Sequence, residues 1–296
     1  MPPASPEDRL PQVASASISR VDTALHWATQ ALSAVTYRPH AEAERLLAHV
    51  LRHTRTALLA HPEWAVAQAQ AAAYIEAVRR RATGLPLPYI LGEIEFFGLT
   101  FTVTPGVLIP RPETELLVER AIDWLRAHRA RTLVDVGTGS GCIAIAVAAQ
   151  YPGQRVIAVD LSLKALRVAQ ANSLRHHVTA AVTWVQGDLL DPVGAPIEMI
   201  LSNPPYVADP EWERLPYSVR QEPARALLAG PEGLDAIERL LRQAMSRLAT
   251  GGCMLVEIGE TQGNAVRALA QAAFPCAEVT ILPDLAGKER VLEVLR

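Results

Sequence analysis

The spacing of apolar residues changes period about a third of the way along this chain. Between residues 18 and 84 it is helical: Val21, Leu25, Ala28, Leu32 and Val35 share one face, as do Leu46, Leu47, Val50 and Leu51. A further helix carries Tyr74, Ile75 and Val78. It runs into Arg79-Arg80-Arg81 and Gly84, cations at the negative pole followed by a glycine stop. The arginine run reads either as a solvated helix end or as a nucleic-acid patch, and the helix end is the simpler account. Two short β runs follow, Glu95-Phe96-Phe97 and Thr100-Phe101-Thr102-Val103, joined through Gly98-Leu99 and bounded by Pro105-Gly106, which predicts a hairpin. A helix is expected over 113–128, opened by acidic residues. From residue 131 apolar strands alternate with helices: strands at 132–136, 156–159, 182–185, 197–202 and 253–258, and helices at 142–149, 163–174, 234–248 and 262–273. A pair at 277–282 and 290–295 closes the chain. Continuous apolar strands separated by helices predict an α/β fold, a Rossmann-like seven-stranded parallel sheet covered on both faces, with a small all-α domain before it. The domain boundaries read as a flexible N-terminus at 1–17, a helical domain at 18–88, a hairpin linker at 89–109 and the sheet domain at 110–296.

Composition narrows the field. Of 296 residues half are hydrophobic and a fifth charged, enough for a large core. A net charge of −3 and a pI near 6.3 argue against a protein that binds chiefly by neutralising phosphates. Cys142, Cys253 and Cys276 lie far apart among apolar or small residues and read as buried spectator thiols, neither a disulfide framework nor a zinc site. No basic segment leads into an apolar one at the N-terminus, and no uncharged stretch reaches membrane-spanning length, so a cytoplasmic protein without metal is expected. The pair His176-His177 is expected to face solvent at a helix end.

Ligands of such sheets bind outside the carboxyl ends of the strands. There the first strand runs into Gly137-Thr138-Gly139-Ser140-Gly141 and then a helix, a Gly-x-Gly-x-Gly spacing distinct from the dinucleotide fingerprint. Asp160 closes the second strand, where an acceptor-only carboxylate suits both hydroxyls of a ribose. Helping to start the next helix is its plainer alternative, although Ser162 is the better cap. Asp188 and Leu189 close the third strand, placed to accept from an exocyclic adenine amine and to lie against its ring. For Asp188 the alternative is an ordinary turn residue. Ribose and adenine without a dinucleotide motif point to S-adenosylmethionine.

After the apolar run Glu198-Met199-Ile200-Leu201-Ser202 come Asn203-Pro204-Pro205-Tyr206. Two prolines delete two backbone donors, leaving carbonyls. The Asn203 side-chain oxygen adds an acceptor and Tyr206 a flat wall, so the segment suits a planar NH₂ group. A proline-stiffened turn is the alternative. The connection from 206 to 234, with Trp212, Tyr217, Arg220 and Glu222, is long enough to be functional and is expected to line a substrate groove. For Trp212 a packing role stands beside that one.

With these residues in hand, the chain resembles the class I methyltransferases that modify planar amino groups. Within them it is similar to the HemK/PrmC family, which methylates the glutamine side-chain amide of peptide chain release factors. The further matches are Leu108-Ile109-Pro110-Arg111-Pro112-Glu113-Thr114-Glu115, Glu222-Pro223, Glu257-Ile258-Gly259 and Asp284-Leu285-Ala286-Gly287-Lys288-Glu289-Arg290. They run from about residue 89 to the C-terminus, with a looser likeness over the helical domain. The resemblance implies S-adenosylmethionine as cofactor and the Gly-Gly-Gln loop of a release factor as partner, docked by the helical domain. It makes Asn203, Pro204 and Tyr206 catalytic, with Pro205 holding the turn and Arg111 touching substrate. A linker into a helix is the other reading of 109–115. Glutamine methylation of a ribosomal protein and adenine methylation of nucleic acid remain alternatives, as does a cofactor-binding adaptor without activity. A monomer is the default, with no membrane and no direct nucleic-acid contact expected.

Overall fold

The computed structural model describes residues 18–128 and 130–296; the N-terminus expected to be flexible, 1–17, lies outside the described residues. The described residues form two compact units, 18–92 with Tyr217–Gln221, and Glu93–Pro216 with Glu222–Arg296.

The first unit is helical, with α1 (Val21–Leu32), α2 (Pro39–Leu51), α3 (Arg55–Ala60), α4 (Gln68–Ala82) and the short α5 (Leu87–Leu91). The residues sharing a face in sequence converge here: Val21, Leu32, Leu46, Leu47, Tyr74 and Val78 are fully buried. The buried Tyr74 hydroxyl donates to the Ala43 carbonyl at 3.1 Å. Arg79 and Arg80 are exposed at the end of α4, while Arg81 is buried and pairs with Glu42 at 2.6 Å. The Tyr217 ring lies directly over Gly84, leaving no room there for a side chain.

The second unit opens with a hairpin, β1 (Glu93–Phe96) and β2 (Leu99–Thr102). Its two turn residues, Phe97 and Gly98, both have positive φ, 52° and 71°, which matches the right-handed twist of the strands. After a single 3₁₀ turn, Pro112–Thr114, α6 spans Glu115–Ala127. Then β3 (Leu133–Val136), α7 (Cys142–Gln150), β4 (Val156–Asp160), α8 (Leu163–Arg175), β5 (Val182–Gln186) and β6 (Ile197–Ser202) alternate. After the long connection come α9 (Asp235–Ala244), β7 (Leu248–Glu257), α10 (Gly263–Ala273), β8 (Glu278–Pro283) and β9 (Glu289–Leu295).

The seven strands order as β5-β4-β3-β6-β7-β9-β8. Pairings from β5 through β7 are parallel, but β9 runs antiparallel to both neighbours. The sheet is therefore mixed where a parallel one was expected. Only a tight turn joins β8 to β9, and a parallel pair needs a crossover of a dozen residues or more. A second difference lies at β7. A helix was expected to continue to Leu248, yet α9 stops at Ala244 and Leu248 already pairs with Ile197 of β6. Apolar spacing through 248 is compatible with either state, and the sheet register decides it.

One face of the sheet packs on α6 and α7 and the other on α9 and α10. Helix α7 is buried on every side from Cys142 to Ala148, as a helix between a sheet and further layers must be. Cys142 and Cys253 are buried, and burial pushes both thiols up to about 12. Cys276 is exposed, contrary to expectation, because it follows Phe274-Pro275 at the end of α10 and reaches no core. His176 also departs from expectation. Its Nε2 donates to the Thr100 carbonyl at 2.8 Å and its ring packs on Phe101, while His177 is exposed.

Asn172, fully buried on α8, joins the hairpin to the glycine loop. Its Oδ1 accepts from the Thr102 N–H at 2.8 Å, and its Nδ2 donates to the carbonyls of Thr102 at 3.0 Å and Ser140 at 2.9 Å. Asn172→Ala would remove the partner of the buried Ser140 carbonyl and of the half-buried Thr102 N–H and C=O, and we expect a loss of about 1–3 kcal/mol. Denaturant unfolding of the two proteins measures it.

Candidate active site

The sheet order reverses direction at β3, with β4 on one side and β6 on the other. In such sheets the crevice at the strand ends opens at this reversal. Val136 is level with both Val159 and Ser202, so the residues that follow, Gly137, Asp160 and Asn203, emerge together. Ser202 in turn is level with Val256 of β7, which brings Glu257 to the same rim. The Ser202 hydroxyl donates to the Val136 carbonyl at 2.8 Å and ties the two central strands at their ends.

The glycine loop is held from beneath. N–H groups of Gly137 and Thr138 donate to the Val159 carbonyl at 2.8 and 3.0 Å. Gly139 N–H donates to Asp160 Oδ2 at 2.8 Å, and Ser162 N–H to Asp160 Oδ1 at the same distance. Asp160 is thus a strap on the loop as well as a strand-end acceptor, and each of its oxygens keeps acceptor capacity. Burial raises its pKa, opposed by these backbone donors. Ser162 caps α8, accepting from Ala165 N–H at 3.3 Å. Gly141 begins α7 at φ +82°, and a Cβ there would sit 3.0 Å from Ala169, Ile145 and Trp184, so only glycine fits. Around Gly137 and Gly139 the nearest such approach is 3.9 Å, ordinary contact, so at these two positions it is the positive φ, not crowding, that favours glycine. Thr138 and Ser140 turn their side chains inward and are buried.

Beneath the loop lies Asp135, wholly buried. Its Oδ2 accepts from the Thr138 hydroxyl at 2.6 Å and from Ala144 N–H at 3.2 Å, whereas Oδ1 is buried without a hydrogen-bond partner. Desolvation raises its carboxyl from 3.8 to about 7; the Thr138 and Ala144 donors pull the other way and Asp160 adds a like charge. Two close carboxylates with an orphaned oxygen form a site that positive charge would relieve.

Asn203 and Tyr206 meet at Glu257. Asn203 Nδ2 donates to Thr114 Oγ1 at 3.1 Å, and the Thr114 hydroxyl donates to Glu257 Oε2 at 2.6 Å. Tyr206 donates to Glu257 Oε1 at 3.2 Å, and its carbonyl accepts from Gln262 Nε2 at 3.0 Å. Thr114 and Glu257 are each 1% exposed. Desolvation raises the pKa of Glu257, against the pull of Thr114, Arg290 and Tyr206. Burial likewise raises the Tyr206 phenol well above its usual value. Pro204 is buried; Asn203, Pro205 and Tyr206 are half-buried.

Arg111 donates from Nη2 to Glu222 Oε1 at 2.6 Å, and Ile109 N–H donates to Glu222 Oε2 at 3.0 Å. The buried Glu222 therefore fastens the Ile109–Arg111 stretch, a role sequence reasoning did not assign it. Asp188 forms an ion pair with Arg239 of α9 at 2.6 Å, and Leu189 beside it adopts φ +48° and packs on the core under α9. Leu161, next to Asp160, is an exposed apolar residue at the same rim that sequence reasoning passed over; its position directly after the strand-end acid was the available signal. Trp212 lies half-buried on the 3₁₀ turn Asp209–Arg214. Among the described residues no group of three or more His, Cys, Asp and Glu could hold a metal ion, and no helix is long and apolar enough to cross a membrane.

The raised pKa of Asp135 has a signed effect on stability. The unfolded chain gives up this proton near 3.8 and the folded chain only near 7. Its contribution is complete at low pH and is lost as pH rises through that interval, by roughly 1 kcal/mol per pH unit. Asp135→Asn cannot titrate, so thermal melts of the ligand-free protein between these limits should fall less steeply for the variant than for the parent.

Residues 23–92 match the PrmC N-terminal domain, and residues 112–219 the methyltransferase small domain. A release factor glutamine methyltransferase of Moorella thermoacetica is 44% identical over 254 residues, 86% of this chain and 90% of that one. Another from Bordetella pertussis is 42% identical, covering 86% and 93%, and one from Nitratidesulfovibrio vulgaris is 38% identical, covering 94% and 96%. Among solved structures, the hMettl16 catalytic domain bound to an RNA hairpin aligns with TM-score 0.55 at 19% identity, over 74% of this chain and 82% of that one. The T. thermophilus 16S rRNA methyltransferase RsmC, in complex with AdoMet and guanosine, aligns with TM-score 0.51 at 19% identity, over 69% and 49%. At such identities these two speak for the fold alone. Identity of this extent across both units, together with the strand-end rim of Gly137, Asp160 and Asn203, makes the chain a member of the release factor glutamine methyltransferase family.

Proposed function

We propose that this protein transfers a methyl group from S-adenosylmethionine to the side-chain amide nitrogen of the glutamine in the Gly-Gly-Gln loop of a release factor. The observation that carries this reading is the juxtaposition, at one rim, of the glycine loop with Asp135 and Asp160 and the Asn203–Tyr206 turn. The residues present suit the cofactor. Gly137 and Gly139 bring bare backbone to the strand end, Asp160 retains acceptor capacity for ribose hydroxyls, and the orphaned oxygen of Asp135 favours a positive ligand. Asp188, with one oxygen engaged by Arg239, and Leu189 stand at the end of the third strand for the adenine. When bound, the cofactor supplies a methyl group already activated on a sulfonium.

A primary amide nitrogen is a weak nucleophile because its lone pair is delocalised into the carbonyl, so orientation and electrostatics are the enzyme's task. Asn203 Oδ1 and the Pro204 carbonyl would each accept one N–H of the substrate amide. That holds the NH₂ plane still and leaves the nitrogen's third direction clear for the methyl. Tyr206, fixed through both its hydroxyl and its carbonyl, would form the wall against the flat amide, with Pro205 stiffening the turn. Arg111, held by Glu222, would define the substrate side of the site. After transfer the nitrogen loses its extra proton to water, and no side-chain base is required. The helical unit, matched to the PrmC N-terminal domain, would serve to dock the release factor.

The direct test incubates the purified protein and methyl-labelled cofactor with a release factor or with its Gly-Gly-Gln Gln→Ala variant. Label on the first alone is expected, and equal labelling of both would refute the assignment. Asn203→Ala should lower kcat by about 100-fold or more, with cofactor affinity by calorimetry within a few-fold of the parent. Asp160→Ala should do the reverse in emphasis, weakening cofactor affinity by about tenfold or more through loss of both the loop strap and the acceptor.

A further inference from the structure

We propose that Thr114 is a positioning residue for this reaction: its hydroxyl, committed as donor to the buried Glu257, fixes the Asn203 carboxamide with its nitrogen turned inward and its oxygen turned to the substrate. The inference rests on the reading of Asn203 as an acceptor for the substrate amide.

The argument is one of donors and acceptors. With Glu257 ionised between the Thr114 and Tyr206 hydroxyls and the Arg290 charge, its oxygens only accept, so the proton shared at 2.6 Å belongs to the Thr114 hydroxyl. That hydroxyl has one proton, and once it is given to Glu257 the oxygen offers lone pairs alone. The Asn203 atom 3.1 Å away must then be the amino nitrogen, which leaves Oδ1, the other arm of the same planar carboxamide, as the acceptor. The two ends of an asparagine amide have nearly the same shape, so packing cannot choose between them. A directed hydrogen-bond chain can. The inverted amide would meet the substrate NH₂ with its own NH₂, setting donors against donors at the point where the site needs an acceptor.

Two members of this chain of hydrogen bonds are enclosed by the protein. Thr114 and Glu257 are each 1% exposed, and Glu257 is held at its other oxygen by Tyr206. Glu257 ends β7, and Ser202 is level with Val256, so the carboxylate stands on the rung beside Asn203. Thr114 reaches both from the 3₁₀ turn Pro112–Thr114, where Pro112 presets the backbone.

Three proteins test this: the parent, Thr114→Val, which keeps the shape and removes the hydroxyl, and Thr114→Ser, which restores it. We expect Thr114→Val to lower kcat on a release factor by about tenfold to a hundredfold while cofactor affinity stays within about threefold, and Thr114→Ser to recover most of the loss. Unchanged kcat per folded molecule, with only a lower thermal midpoint, would mean a structural role and overturn the proposal. So would a loss that Thr114→Ser does not recover. A second measurement needs no folded valine variant. In the ¹⁵N-labelled parent, the Asn203 side-chain NH₂ signal, assigned by its disappearance in Asn203→Asp, should contain one proton shifted downfield and slow to exchange. A pair of solvent-like, rapidly exchanging protons would refute the assignment. Failure of the parent itself to label glutamine would count against the proposed function instead, and the NMR result would still decide which way the amide faces.

Discussion

The register between β3 and β6 sets Val136 level with Ser202, and everything at the site follows from that pairing. A shift of one residue would turn the alternating side chains of β6 to the opposite faces of the sheet. It would also carry Asn203 away from Gly137. The pairing is locked by apolar residues on both faces: Leu133 and Met199 lie in the core toward α7, Val134 and Ile200 in the core toward α9. At the end of the pair the Ser202 hydroxyl closes on the Val136 carbonyl. An entirely ordinary constraint, burial of a β-strand on two sides, thus fixes the relative position of two chemically unlike loops.

Around that pair the chain uses buried carboxylates as anchors. Asp135 gathers Thr138 and the start of α7, Glu222 gathers Ile109 and Arg111, and Glu257 gathers Thr114 and Tyr206. A carboxylate accepts several hydrogen bonds and donates none when ionised, so each acid dictates the direction in which its partners' protons point. Burial works against the charge at Asp135 and Glu257, as their raised pKa values record. At Asp135 the compensating donors are local, but at Glu257 and Glu222 they come from segments far apart in sequence, so loops at this rim are tied together without belonging to the sheet.

Much of this was legible in the residue order. Strands buried on both faces appear as unbroken apolar runs, and the glycine loop, Asp160, Asp188 and Asn203 each follow such a run, so their common placement at the carboxyl ends could be read directly. What could not be read is pairing across distance. Arg111 looked like a residue facing substrate, and its partner Glu222 lies 111 positions away. Thr114 sits in a Pro-Glu-Thr-Glu stretch that reads as a helix start, and nothing local announces contact with the last residue of β7. The likeness to a known family marked both stretches without saying what touches what. The start of β7 escaped for a different reason: the spacing up to Leu248 satisfies a helix, and only the neighbouring strand converts its last part into sheet.

Asn172 carries a consequence for energetics at a distance. One side chain spans the edge of the β1–β2 hairpin and the carbonyl of Ser140, so movement of either is felt by the other. Stiffening of the glycine loop would be shared with the hairpin through this one side chain, and loosening of the hairpin with the loop. The edge of the ribbon is to that extent part of the scaffold on which the loop rests.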